Sequence, residues 1–233
     1  TRLRQEGVTA VSYDLKSQQD ILDRPHLTRL MAGADAVVHL AAEKSVPRSW
    51  DAPETFFRTN VTGTYTVLAV AADAKVAKVV VASSSSALWQ LSPYGISKAT
   101  TESLTTMAHN VWGLSTMSLR FFNVFGPGQP ADSPYAAVIP RFLAALGRPE
   151  VPLTIYGDGT QTRDFTYVEN VVQAVWLALG APHGAGEVVD IGTGTPCSVE
   201  RLLRLLVEVV GCPPPGPRYE AARQGDAPMS CAN

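Results

Sequence analysis

The segment 76-VAKVVVASSSS-86 decides how the rest of the chain is read. Its valine run has no polar alternation, the pattern of a strand buried on both faces, and it passes directly into four hydroxyl residues, Ser83 to Ser86. A strand of that kind needs helices on both faces of its sheet, so strand and helix should alternate along the chain. Upstream, 34-ADAVVHLAA-42 predicts a strand, and Phe57, Val61, Tyr65, Leu68 and Ala72 then recur at helical spacing. Further upstream, 8-VTAVSYDL-15 predicts another buried strand, carrying Asp14 near its carboxyl end. Downstream, a helix is expected from Tyr94 to about Trp112, and 114-LSTMSLRFFNVFGPG-128 returns to strand. The alternation predicts an α/β fold, a doubly wound parallel sheet of the Rossmann-like kind.

After the turn-forming residues 126–130 the texture changes to short strands, turns and helices. This divides the chain into residues 1–125, a sheet domain, and residues 126–233, mainly a smaller α/β lobe that looks like a lid, with some segments returning to the sheet. In the last helix Val199, Leu202, Leu203, Leu206 and Val210 share one stripe, which is core.

In doubly wound sheets ligands bind beyond the carboxyl ends of the strands. Polar residues gather at four such ends: Asp14, His39 to Lys44, Ser83 to Ser86, and Asn123. On the helix that follows the serines, 92-SPYGISKATTE-102 sets Tyr94 and Lys98 four residues apart, about one turn, so the two share a face. Alone, such a pair most often decorates a solvated helix. Beside four polar strand ends it reads as chemistry.

Composition narrows the partners. Nineteen Lys and Arg against 21 Asp and Glu give a net charge of −2. The basic residues are scattered, which disfavours nucleic acid. Cys197, Cys212 and Cys231 are far apart, with no CxxC and no neighbouring His, so neither a metal site nor a disulfide framework is indicated. With no leader-like segment and no long apolar run, the expectation is a cytoplasmic protein with no membrane role. The opening TRLRQEG reads as the last turns of a helix stopped at Gly7.

Taken in order, DILDRPHLTRLMAGADAVVHLAA, TNVTGTYTVLAVA, VVVASSSSA, SPYGISKATTE, LRFFNVFGPGQ, PYAAVIPRF, IYGDGTQTRDFTYVENVVQA and RQGD resemble the extended short-chain dehydrogenase/reductase family. Within it they look like the NAD-dependent nucleotide-sugar epimerases and dehydratases of the UDP-glucose 4-epimerase type. The resemblance implies NAD as cofactor, with Asp14 holding the adenosine ribose and Asp20 and Ile21 flanking the adenine. It sets Leu40, Ala41 and Ala42 along the pyrophosphate and adds Lys44, Asn60, Ser83 and Phe121 as further cofactor contacts. For the Leu40 to Ala42 run, Asn60 and Lys44, the residues by themselves favour strand core, a helix polar contact and a surface charge.

The implied catalytic set is Tyr94, Lys98 and a serine among Ser84 to Ser86, with Ser85 favoured by counting back from Leu88. A free tyrosine titrates near pH 10, and a neighbouring ammonium together with a positively charged nicotinamide would draw it toward phenolate. Lys98 would also hold the nicotinamide ribose. On the substrate side the resemblance implies Arg163 and Arg223 on the diphosphate, helped by Asn123. Thr154, Tyr156 and Val138 would lie about the uracil, and Ser230 would gate the sugar pocket. Guanidinium forks suit phosphate oxygens.

The implied reaction is C4 epimerisation of a UDP-sugar through a transient 4-keto intermediate, the sugar being a hexose, an N-acetylhexosamine or a hexuronate. A 4,6-dehydratase would carry carboxylates after the catalytic hydroxyl, where this chain has Ser86 and Ala87, and a decarboxylase would want one there too. Relatives in this group also imply a homodimer formed through two helices per subunit, one of them bearing the Tyr/Lys pair. The family's opening TGxxGxxG loop has no counterpart in this sequence, and the spacings from Asp14 to Asp20 and from Ser85 to Tyr94 are short. These departures predict a longer polypeptide joined across gaps near residues 17–20 and 87–92; the competing explanation is a non-catalytic module that binds NAD or a sugar nucleotide.

Overall fold

In the computed structural model, residues 2–131, 136–148, 150–212, 214 and 216–233 are described. Strands run over Ala36–His39 (β1), Lys78–Ser84 (β2), Thr116–Phe121 (β3), Asn123–Phe125 (β4) and Thr154–Tyr156 (β5). They continue over Thr162–Tyr167 (β6), Val188–Ile191 (β7), Pro196–Ser198 (β8), Arg218–Glu220 (β9) and Met229–Ser230 (β10).

The valine run is β2, and it lies inside a parallel sheet ordered β1, β2, β3, β7. Side chains alternate across a strand, and here both faces are covered. Val79 and Val81 point into a core with Val67, Leu68, Val70 and Ala71 of the helix Thr64–Asp73 and Ala108 of the helix Pro93–Trp112. Val80 points the other way, onto Met117, Leu119 and Ala178 of the helix Val168–Gly180. This is the doubly wound α/β arrangement that the uninterrupted valines require.

The second half builds its own small core. Phe142, Leu153, Ile155, Val199, Leu202 and Leu203 pack together, while β10, β6 and β4 form a second sheet with β8 antiparallel to β6. The stripe on the last helix, Val199–Val210, is buried at its start and opens to solvent at Val210. β7 pairs with β3 and so returns to the first sheet.

Two local readings need correction. Residues 8–14 pair with no strand among the described residues, Leu15 opens a 3-10 turn, and Val8, Val11 and Leu15 are 39%, 74% and 69% exposed rather than buried. The sheet ends at β1, whose ladder is formed with β2 alone, so this segment has no covered face to fill. The helical stripe is also displaced. Phe57–Gly63 is π-helical, and the Thr101 hydroxyl donates to the Asn60 carbonyl (3.1 Å). The wider turn rotates the helix, so Phe56, Asn60, Gly63, Thr64 and Val67 face inward while Phe57 and Tyr65 are exposed.

Where spacing suggested gaps, the structure has tight turns. Leu15–Ser17 is a single 3-10 turn closed by Gln18 at φ 58°, and Ser86–Trp89 is one helical turn closed by Gln90 at φ 50°. No helix among the described residues is long and apolar enough to cross a membrane.

Candidate active site

The head of the helix Pro93–Trp112 is fixed by sequence. Ser92 caps it, its Oγ accepting from the Gly95 N–H (3.1 Å), and Pro93 occupies the first turn, where a missing N–H costs nothing. The turn Ser86–Trp89 lies so close that a Cβ on Gly95 would stand 2.6 Å from the Ser86 carbonyl oxygen. Only glycine lets the helix carrying Tyr94 and Lys98 approach the serines this closely.

A cleft of about 430 Å³ opens at the carboxyl ends of the sheet strands, lined by Ser83 to Ser86, Tyr94, Phe121 to Val124, Lys44, Arg163 and Ser230 among others. The Tyr94 ring meets Phe56 edge-on (6.1 Å between centroids), and burial raises the phenol's pKa while a hydrogen bond with Ser84 opposes that rise. Lys98 is buried on the same helix face and donates from Nζ to the Ala82 carbonyl (2.9 Å). Burial lowers its pKa to about 8, with Glu102 pulling the other way. His39, at the end of β1, donates to or accepts from Thr64 Oγ1 (3.0 Å), and burial plus the Lys98 charge push its pKa down to about 3.

At neutral pH these values make Tyr94 a neutral phenol, Lys98 an ammonium and His39 a neutral imidazole. Lys98 does not draw Tyr94 toward phenolate in this structure, because its ammonium is turned onto the Ala82 carbonyl and burial dominates the phenol. The serine that meets Tyr94 is Ser84. Ser85 stands one residue past the end of β2, where its N–H donates to the Phe121 carbonyl (3.0 Å) as the chain turns into Ser86–Trp89. Ser84 and Ser85 both line the cleft, so the serine expected from the count back from Leu88 stands next to the one that meets the phenol.

The residues assigned to NAD divide into two groups. Lys98 uses one of its three N–H donors on the protein, which leaves an ammonium beside Tyr94 able to hold ribose hydroxyls. Together with the Lys44 ammonium, the Ser83 hydroxyl and apolar Phe121 at the cleft, that free donor capacity fits the nicotinamide end. At the other end Asp14 and Asp20 are exposed, each with Oδ1 accepting from a backbone N–H two residues on and Oδ2 open. Leu40 and Ala41 are exposed and Ala42 half-buried at the end of β1. The Ile21 side chain is buried in the core, packed where a Cβ on Gly63 would lie 2.4 Å from its Cδ1. Asn60 is buried as well, where it accepts from the Glu43 N–H (2.7 Å) and donates to the Glu43 carbonyl and Ser97 Oγ.

On the substrate side Asn123, Arg163 and Ser230 line the cleft. Arg163 forms an ion pair with Asp226 (3.2 Å), so the RQGD segment reaches the cleft through Gly225 and Asp226 rather than through Arg223. Arg223 lies over the Tyr156 ring (3.8 Å), with Arg141 at 5.6 Å, and their hydrogen bonds lower that phenol's pKa. Tyr156 and Thr154 sit on β5 paired with β9, and Val138 packs on the small core, all outside the cleft lining. Trp89, Leu91 and Gln129 also line the cleft and were not singled out from the sequence. Gln129 lies in 125-FGPGQP-130, a stretch whose turn residues masked its role. Gln129 Oε1 and Ser230 Oγ are buried without a hydrogen-bond partner, two groups a polar ligand in the cleft could satisfy.

A phenol and an ammonium one helical turn apart, against strand-end serines in a doubly wound sheet, are groups able to carry acid–base chemistry. Residues 2–192 match the NAD dependent epimerase/dehydratase family, and the chain belongs to it. It is 32% identical to the "Uncharacterized UDP-glucose epimerase YtcB" of Bacillus subtilis, over 88% of this chain and 72% of that protein. It is 36% identical to a dTDP-glucose 4,6-dehydratase of Streptomyces griseus, over 88% of this chain and 65% of that one. Among solved structures it is similar to MoeE5 in complex with UDP-glucuronic acid and NAD (TM-score 0.91, 34% identity), covering 100% of this chain and 84% of that one. The chain thus spans about two-thirds of the length of these curated relatives. These neighbours support a Rossmann-type enzyme that modifies nucleotide-sugars.

Proposed function

We propose that the protein inverts C4 of a UDP-sugar (hexose, N-acetylhexosamine or hexuronate) through a transient 4-keto sugar, with NAD as cofactor. One observation carries the choice between inversion and dehydration. Asp226 is the sole carboxylate among the described residues of the cleft lining, and it is paired with Arg163. Elimination of water across C5 and C6 needs its own acid–base pair, and decarboxylation likewise draws on a carboxylate at the serine turn. Here that turn offers Ser85, Ser86 and Ala87.

With NAD⁺ bound, its positive charge and the Lys98 ammonium would favour the phenolate of Tyr94, whose Oη then takes the proton of the 4-hydroxyl and returns it after the sugar turns over. Ser84 Oγ, already within reach of that phenol, orients the hydroxyl, with Ser85 beside it. Bound NAD supplies the hydride acceptor and donor. The Lys98 ammonium holds the ribose and offers Tyr94 a positive field once its donors engage. Arg163 receives the diphosphate, and Asn123 and Ser230 border the sugar. Exposed Tyr65, Ile96 and Val111 on the paired helices Thr64–Asp73 and Pro93–Trp112 support a homodimer through this face.

Tyr94→Phe removes Oη and keeps the ring. The expected result is a loss of C4 inversion of about 10²- to 10⁴-fold with an unchanged far-UV circular dichroism spectrum and thermal melt. Full activity in that variant would sink the assignment.

A further inference from the structure

The helix Pro93–Trp112 continues its polar face one turn beyond the pair, to Glu102, which is 9% exposed. Glu102 is held from three sides. Its Oε1 accepts from Ser83 Oγ and from Arg120 Nε (2.9 Å), and its Oε2 accepts from Arg120 NH2 (2.9 Å). Arg120 NH1 in turn donates to Asp190 Oδ1 (2.8 Å). Ser83, Arg120 and Asp190 lie directly opposite one another on β2, β3 and β7, so three strands present one row of polar side chains to the helix. The ion-pair side chains are only 12% to 17% exposed.

Two carboxylates and one guanidinium leave this row with one net negative charge, one helical turn from a buried ammonium. Lys98 has few other sources of compensation. On its own helix Tyr94 is a neutral phenol, β1 brings His39 as a neutral imidazole, and β2 brings only the Ala82 carbonyl and the Ser83 hydroxyl. Arg120 on β3 carries the wrong sign by itself, and Asp190 on β7 offsets it. A buried ammonium without a counter-charge gives up its proton.

We propose that Glu102, braced by Arg120 and Asp190, is a positioning residue that keeps Lys98 protonated and holds Ser83 in place beneath the cleft. The proposal rests on reading Lys98 as part of the acid–base site. Glu102 itself touches neither substrate nor cofactor. The bidentate fork fixes the carboxylate plane, and Asp190 prevents Arg120 from cancelling the charge that Lys98 feels.

The test is a ¹³C NMR titration of Lys98 Cε in the protein, with neither cofactor nor sugar present. Glu102→Gln keeps the shape and removes the charge, and should lower the Lys98 midpoint from about 8 by ~1 unit. Asp190→Asn should lower it in the same direction by less, and Glu102→Asp should restore part of the loss. The alkaline limb of the kcat–pH profile should move down with the midpoint in each variant. A Lys98 midpoint unchanged in Glu102→Gln overturns the proposal; if that variant does not fold, an unchanged midpoint in Asp190→Asn does so. Because the titration needs no turnover, its failure leaves the assignment of C4 inversion standing.

Discussion

Replacing Gly95 with Ala tests whether the close approach of two backbone segments builds the site. An added Cβ would stand 2.6 Å from the Ser86 carbonyl oxygen and 3.3 Å from Gln90 Cα. Carbon and carbonyl oxygen tolerate about 3.3 Å at closest, so the helix head and the turn Ser86–Trp89 must separate by about 0.7 Å. Overpacking of this kind costs about 1–3 kcal/mol, and exchanging glycine for alanine within a helix returns about 1 kcal/mol. The net destabilisation is then about 0–2 kcal/mol, a fall in Tm of at most about 8 °C. Function should suffer more than stability, because that separation moves Ser84 and Tyr94 apart, and a misplacement near 1 Å costs about 10²-fold. The expected kcat is about 10- to 10²-fold below wild type at a temperature where both are folded. Conversion of UDP-sugar to its 4-epimer is followed by anion-exchange chromatography beside a thermal melt. Gly180→Ala, where an added Cβ meets nothing within 4 Å, is the control. A kcat for Gly95→Ala within twofold of that control would refute the packing argument.

The remaining predictions concern stability. Lys98 titrates at about 8 in the folded protein against 10.5 unfolded, so between those values the unfolded chain binds the extra proton and stability rises with pH. The buried ammonium costs roughly 3 kcal/mol below pH 8, from about 2.5 pH units at 1.36 kcal/mol each. Chemical denaturation from pH 7 to 10.5 should show a rise in wild type that is absent in Lys98→Met, and equal slopes would count against the burial argument. Asp164 is fully buried and accepts from the Thr193 N–H and hydroxyl, the Gly194 N–H and the Ala232 N–H. Burial pushes its pKa up, but those hydrogen bonds outweigh it and hold the pKa below 3.8. Asp164→Asn should therefore lose at least ~2 kcal/mol at pH 7 in a urea melt, with the difference shrinking as pH falls below 3.8. A variant as stable as wild type at pH 7 would show that this knot is not what ties β10 to β6.

What the sequence disclosed follows from how local each signal is. The valine run at 79–81 could only be a strand covered on both faces, and Ser92, Pro93 and Gly113 mark the ends of the helix bearing Tyr94 and Lys98. The tyrosine, the lysine and a serine of the Ser83–Ser86 run were legible for the same reason. Which of these serines meets the phenol in the unliganded cleft was not, since it depends on where β2 stops and the chain turns. That Ile21 fills the space beside Gly63 and Asn60 bonds Glu43 and Ser97 was not legible, because nothing local shows either contact. The π-helical stretch shifted the buried stripe from Phe57 to Phe56 through a hydroxyl on a different helix. The Glu102–Arg120–Asp190 row is invisible in sequence because its members come from a helix and two strands up to 88 positions apart, between residues 102 and 190.

The central claim is that the cleft inverts C4 and removes nothing from the sugar. It is tested most directly by incubating the protein and NAD in D₂O with UDP-glucose, UDP-N-acetylglucosamine and UDP-glucuronic acid, and reading the products by ¹H NMR. The predicted result is the 4-epimer of at least one of them, its C4 hydrogen unexchanged with solvent and C5 and C6 intact. A 4-keto-6-deoxy sugar, a decarboxylated product, or deuterium at C4 of the epimer would contradict it.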